Sequence, residues 1–246
     1  MNFSSSIAKL IAGMLLAVTA APTLARQPIG TTQTRSISAN YADCVVKKSA
    51  PQARGAIAEL ANSLTVQKKY RRLIDPTCMA QVTTNTSSDG IAFGGDTFFY
   101  TMADALIRKD YAQSGPTDFS AIAPLIHRQK LANPSASERE ESSKRQQAEF
   151  EKDLAKSNAF NTLSRFGECA VRGNPEVSRQ LSLTEVGSAD ERLKFNILLP
   201  ALAKCLPPEA TVKFSPFLLR GTIALNYFRL AFASETDSIL LTEAVK

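Results

Sequence analysis

The sequence predicts an all-α protein, a tandem duplication of a small disulfide-stapled helical unit joined by a long charged helix. Three observations carry that expectation. Apolar residues recur at helical spacing, four cysteines fall into two similarly spaced pairs, and the surroundings of the two pairs match. Across 246 residues the chain is 44% hydrophobic and 21% charged, which excludes a disordered or fibrous protein. With a single histidine, His127, a histidine-rich metal site or a histidine-based nucleophile relay is disfavoured from the start.

Residues 1–25 read as a signal peptide. A polar start reaching Lys9 leads into an apolar run from Leu10 to Val18, which exits through small residues, Pro22 and Ala25. The run is too short to span a bilayer comfortably. Cleavage is expected after Ala25 or Ala21, and no later segment resembles a transmembrane helix. The mature chain should therefore be extracytoplasmic, either periplasmic or secreted. Residues 26–40 are expected to be a flexible N-terminal segment.

Export sets the meaning of the cysteines, because paired thiols in an oxidising compartment form disulfides. Spacings of 34 and 36 residues favour Cys44–Cys78 and Cys169–Cys205 among the three pairings. No Cys-x-x-Cys occurs, so neither a redox pair nor a zinc knuckle is indicated. Around the first cysteine stand Tyr41, Asp43, Cys44, Val46 and Lys47; around the third stand Phe166, Glu168, Cys169, Val171 and Arg172. Aromatic, acid, cysteine, valine and base thus recur at an offset of 125. Further on, Thr101-Met102-Ala103 resembles Thr222-Ile223-Ala224. Residues 41–132 and 166–246 are accordingly read as two copies of one helical unit.

Within each unit, Tyr41, Cys44, Val45 and Phe166, Cys169, Ala170 fall on one helical face. Pro51 and Pro175 should end those helices or begin the next. Asp96 is expected to cap a helix from Thr97 to about Ala112. Ser188-Ala-Asp-Glu191 is a capping box opening a segment with Leu193, Ile197, Leu202 and Leu206. Pro200 should kink or split that segment. Ser215-Pro216 starts a helix that is apolar nearly all round to Ala233, as a central core helix would be. Arg220, Asn226 and Arg229 argue against its entering a membrane. Residues 133–165 read as the charged connecting helix, broken from what precedes by Asn133-Pro134 and capped by Ser137-Glu-Arg-Glu140. Glu140–Lys144 and Glu141–Arg145 would be its i, i+4 pairs, and Phe150, Leu154, Phe160 and Leu163 its thin apolar stripe. The alternative is a disordered charged linker.

Chemistry is sparse. The net charge of +6 is spread along the chain, whereas nucleic-acid binding needs bases gathered on one surface, so no nucleic-acid partner is expected. The one dense cluster is Lys68, Lys69, Arg71 and Arg72, around Tyr70. On a helix Lys68 and Arg72 would share a face, which reads either as solvated surface or as a contact for anionic lipid or an envelope polymer. The glycines between Asp89 and Asp96 match neither dinucleotide nor P-loop spacing. His127 reads as an exposed or satisfied helix residue. No catalytic residue, metal ligand or cofactor is indicated. The leading expectation is a non-enzymatic exported protein that binds another envelope protein. A binder of anionic surfaces is the second, and a hydrolase using unidentified acids the third.

Overall fold

A computed structural model of the chain describes residues 32–83, 96–128, 144–207 and 214–236. All regular elements among them are helical: α1 Thr32–Ala58, α2 Ser63–Lys69, a 3-10 turn Arg71–Leu73, α3 Pro76–Thr83 and α4 Asp96–Asp110. Beyond them follow α5 Lys144–Gly173, α6 Pro175–Leu183, α7 Ala189–Lys204 and α8 Pro216–Thr236. The Asp89–Gly95 glycines and the Asn133–Glu140 break and cap lie outside the described residues.

The core is built around the crossing of α4 and α8. Every residue of α8 from Arg220 to Ala231 is buried, as its all-round apolar pattern requires. Close approach of the two helices needs a glycine there. A Cβ on Gly221 would lie 2.4 Å from the Tyr100 Cβ of α4. Helix α1 packs outside α4 and α5 packs outside α8, while α6 bridges α4 and α8. Disulfide Cys44–Cys78 ties α1 to α3, and Cys169–Cys205 ties α5 to the end of α7, with Cα separations of 5.7 and 5.8 Å.

The prolines act at the two matching places. Ser49 leaves helical geometry (φ −140°, ψ 37°) and kinks α1 just before Pro51. Asn174 (φ −157°, ψ 76°) separates α5 from α6; its side chain accepts from the Val177 amide and Pro175 opens the new helix. Ser215 likewise caps α8, accepting from the Leu218 amide at 3.2 Å.

Four expectations need correction. Residues 32–40 are helical, with Arg35 and Ser38 buried, because Arg35 finds a partner in Glu191, 156 positions away. No local pattern could reveal that contact. Helix α7 continues through Pro200. Pro200 and Asn196, whose carbonyl loses its donor, both lie on the exposed side, where water can replace the missing bond. The Ser188 cap forms, its hydroxyl accepting from the Glu191 amide at 3.1 Å, but Glu191 accepts in return from the Gly187 amide rather than from Ser188. Leu193 and Ile197 are 53% and 43% exposed, because α7 turns Leu198 and Leu202 inward instead. The charged helix runs without interruption into the Cys169 region as α5, and Arg145 pairs there with Glu149.

Candidate functional site

Two buried polar clusters flank the α4–α8 crossing. The larger centres on Arg220, placed by α8 in the interior. Its Nε donates to both Asp104 oxygens at 3.1 and 3.2 Å, and Nη2 to Asp104 Oδ2 at 3.1 Å. Nη1 donates to Glu191 Oε1 at 3.0 Å and Thr184 Oγ1 at 3.1 Å. Nη2 also reaches the Ser182 and Thr184 carbonyls at 3.1 and 3.0 Å. Glu191 is held from the other side by Arg35, and Asp104 by Arg108, which continues to Asp43 at 2.8 Å. Three guanidiniums therefore face three carboxylates, joining α1, α4, α7 and α8. Burial pushes the Asp104 carboxyl up, but Arg220 and Arg108 outweigh it and hold the group below the usual carboxylate range. Beside this cluster is a small cleft of about 20 Å³ between Arg35, Tyr100, Val186 and Phe217, room for a single water.

Asp104 and Glu191 both reach Arg220, whereas a glycoside hydrolase needs two acids flanking the scissile bond, and the chemistry also runs the other way. A general acid needs a raised pKa, and Asp104 has a lowered one. Both carboxylates are already committed to arginines. Among the described residues, no group of three or more His, Cys, Asp or Glu could hold a metal.

The second cluster contains the only histidine. His127 does not lie on a helix; it sits in the irregular segment after α4, 7% exposed, because Glu168 and Ser164 of α5 draw it inward. Its Nε2 lies 3.1 Å from Glu168 Oε2 and its Nδ1 2.9 Å from Ser164 Oγ. Serine, histidine and carboxylate are thus in hydrogen-bonded sequence, but Ser164 is only 2% exposed and donates to Asn226 Oδ1 at 3.2 Å. The hydroxyl faces α8, not solvent. Glu168 also accepts from the Arg172 guanidinium at 2.8 and 2.9 Å and from the Leu125 amide at 3.1 Å. Burial raises its pKa, but the His127, Arg172 and Leu125 hydrogen bonds prevail and leave it lowered. Arg229, 1% exposed, donates to the Ile126 carbonyl at 2.6 Å, and burial brings its pKa down to about 10. This cluster fastens the segment around Leu125 to α5 and α8.

The sequence-derived basic cluster is not one helix face. Helix α2 ends at Lys69, and Arg71 and Arg72 belong to the separate 3-10 turn, because Tyr70 and Leu73 are drawn into the core. Lys69 is engaged by Glu59 and lies over the Tyr70 ring. Lys68, Arg71 and Arg72 are exposed. The sequence reading missed Arg35 and Asp104, and gave Glu191 only a helix-capping role. The available signal was charge inside apolar helices: Asp104 between Ala103 and Ala105, and Arg220 and Arg229 within α8.

Two disulfides indicate an oxidising, extracytoplasmic setting, and no described helix is long and apolar enough to cross a membrane. The chain matches no known protein family, no characterised protein and no solved structure.

Proposed function

We propose that this chain is an exported, non-catalytic helical protein that works by binding another protein of the cell envelope. The observation that carries this reading is that the carboxylates of its two buried clusters, Asp104 and Glu191 in one and Glu168 in the other, are each already held by arginine or histidine side chains. The Arg220 and His127 clusters join helices, and the cleft beside the Arg220 cluster has room for about one water. The surface offers the complementary feature. Leu193 and Ile197, one turn apart on one face of α7, are 53 and 43% exposed, an apolar pair of the kind found at contact sites, and Leu199, on another side of the helix, is 56% exposed. Export is supported by the disulfides and by the leader-like residues 1–25.

The architecture further supports an origin by tandem duplication, with 41–132 and 166–246 as the two units and 133–165 as their connection. Each disulfide joins the helix bearing the repeated motif to one that precedes the central helix of its half. The α1 kink at Ser49 and the α5–α6 break at Asn174 stand at the same offset of 125 as Cys44 and Cys169.

Site-specific photocrosslinking in the native envelope tests the binding reading. A probe replacing Ile197 should give a discrete adduct to one protein, and a probe replacing Lys152 on the exposed part of α5 should not. Absence of an adduct from positions 193, 197 and 199 would sink the proposal.

A further inference from the structure

The Lys68–Ile74 region carries a second surface of different chemistry. Its scaffold is anchored to α1. Tyr70 and Leu73 are 6% and 0% exposed, and the Tyr70 ring covers Gly55, where a Cβ would lie 3.0 Å from Tyr70 Cε1. The Tyr41 hydroxyl donates to the Leu73 carbonyl at 3.0 Å, and the Arg72 amide donates to Gln52 Oε1 at 3.2 Å. These anchors hold the turn against α1 and force Lys68, Arg71 and Arg72 outward. The nearby acids are occupied. Glu59 is taken by Lys69, while Asp75 is taken by Lys48, by the Thr77 hydroxyl at 2.6 Å and by the Cys78 amide at 2.9 Å. Three positive charges are left without a described acidic partner. Two apolar side chains accompany them: Leu64, on the α2 face shared with Lys68 and 62% exposed, and Ile74, 55% exposed and directly after the turn.

We propose that Lys68, Arg71 and Arg72, flanked by Leu64 and Ile74, form a docking face for the surface of an anionic phospholipid bilayer. Lipid phosphates supply the charge complement, and the boundary between headgroups and acyl chains takes up the two apolar side chains. A soluble polyanion would use the cations but leave Leu64 and Ile74 in water, so the mixed face favours a bilayer. The inference is independent of the protein-binding face on α7, which lies on another helix.

Vesicle co-sedimentation tests it, using the protein as released by an exporting host, with both disulfides formed. Vesicles of phosphatidylcholine containing about a quarter phosphatidylglycerol should bind the protein, pure phosphatidylcholine should not, and each neutralised cation should weaken binding about fivefold. The triple variant K68Q/R71Q/R72Q should therefore lose about a hundredfold, and binding by the parent should collapse between about 0.1 and 1 M salt as the Debye length shortens. L64S/I74S should lose roughly tenfold through its apolar term alone. A charge-matched control, K152Q/K156Q/K204Q, and L193S/I197S should bind like the parent. Should the triple variant fail to fold, the single variants K68Q and R71Q carry the fivefold expectation instead. Equal binding to neutral vesicles overturns the proposal, as does a loss below about threefold in the triple variant. Undiminished binding by L64S/I74S, or binding to soluble polyphosphate with vesicles ignored, overturns it in favour of a polyanion site.

Discussion

Replacing Arg220 by methionine tests whether the buried ion cluster holds the helices together. Methionine keeps much of the hydrocarbon volume but removes every donor. Removing one partner of a buried pair costs about 3–5 kcal/mol, because a charge is left uncompensated. Here neither carboxylate is abandoned, since Asp104 keeps Arg108 and Glu191 keeps Arg35. The Thr184 carbonyl, by contrast, loses its Nη2 donor, while the Ser182 carbonyl keeps Arg108 Nη1 at 3.3 Å. The expected cost therefore falls at the lower end, about 3 kcal/mol. The pairing itself is read from a cycle with Asp104→Leu. If Asp104 and Arg220 act together, the double variant should be less destabilised than the sum of the singles by about 1–3 kcal/mol. The assay is urea unfolding followed by helical circular dichroism at neutral pH with the disulfides intact, with unchanged slopes required of all four proteins. A loss below about 1 kcal/mol in R220M, or strict additivity in the cycle, would refute the reasoning.

Three further outcomes follow from the same structure. Asp104 and Glu168 have folded pKa values below their unfolded ones, so their stabilisation is present above about pH 4 and disappears as pH falls through the lower folded values. Variants D104N and E168Q should be less stable at neutral pH, and the acid limb of their stability–pH curves should be shallower; an unchanged limb rejects the assignment. Each disulfide closes a loop of similar length, 34 or 36 residues of separation, so C44A/C78A and C169A/C205A should each lose about 3–4 kcal/mol in urea unfolding. A methyl on Gly167 of α5 would meet Thr222 Cγ2 at 2.5 Å and the Thr222 carbonyl at 2.8 Å, so G167A should cost about 1–3 kcal/mol. A thermal midpoint equal to the parent's would show that α5 can shift away from α8 freely.

What was legible in the sequence was whatever a short window encodes. The breaks beside Pro51 and Pro175, the Ser215 and Ser188 caps, the apolar run of α8 and the cysteine pairing all arise from local geometry or loop length. The illegible part was tertiary. Arg35 meets Glu191 across 156 residues, and His127 meets Glu168 across 41, so neither partnership leaves a periodic trace. Leu193 and Ile197 sit at the helical spacing of a buried row yet face outward, because which face of α7 is covered depends on where α5 and α6 lie. The one-face reading of Lys68 and Arg72 failed for a related reason. Burial of Tyr70 and Leu73 interrupts the helix between them.

The acid preceding the first cysteine of each disulfide is held differently in α1 and in α5. Asp43 is met by Arg108 of α4 at 2.8 Å, and its side chain is 47% exposed, so water shares the cost of keeping it charged. Glu168, one residue before Cys169 in α5, has a side chain only 9% exposed, and Arg229 of α8 is near it. A buried carboxylate needs more than one donor to remain charged. It receives them from Arg172, from the Leu125 amide and from His127. The solitary histidine is therefore explained by the depth of Glu168, and no reaction is needed to account for it. This division predicts an asymmetry. H127Q, which keeps a donor for Glu168, should be far milder than H127L, which exposes Glu168 and Ser164 to a hydrocarbon and should cost about 1–3 kcal/mol. D43N, on the wetter side, should cost less than about 1 kcal/mol. Urea unfolding of the three variants decides it, and equal losses in H127Q and H127L would return the histidine to the list of unexplained residues.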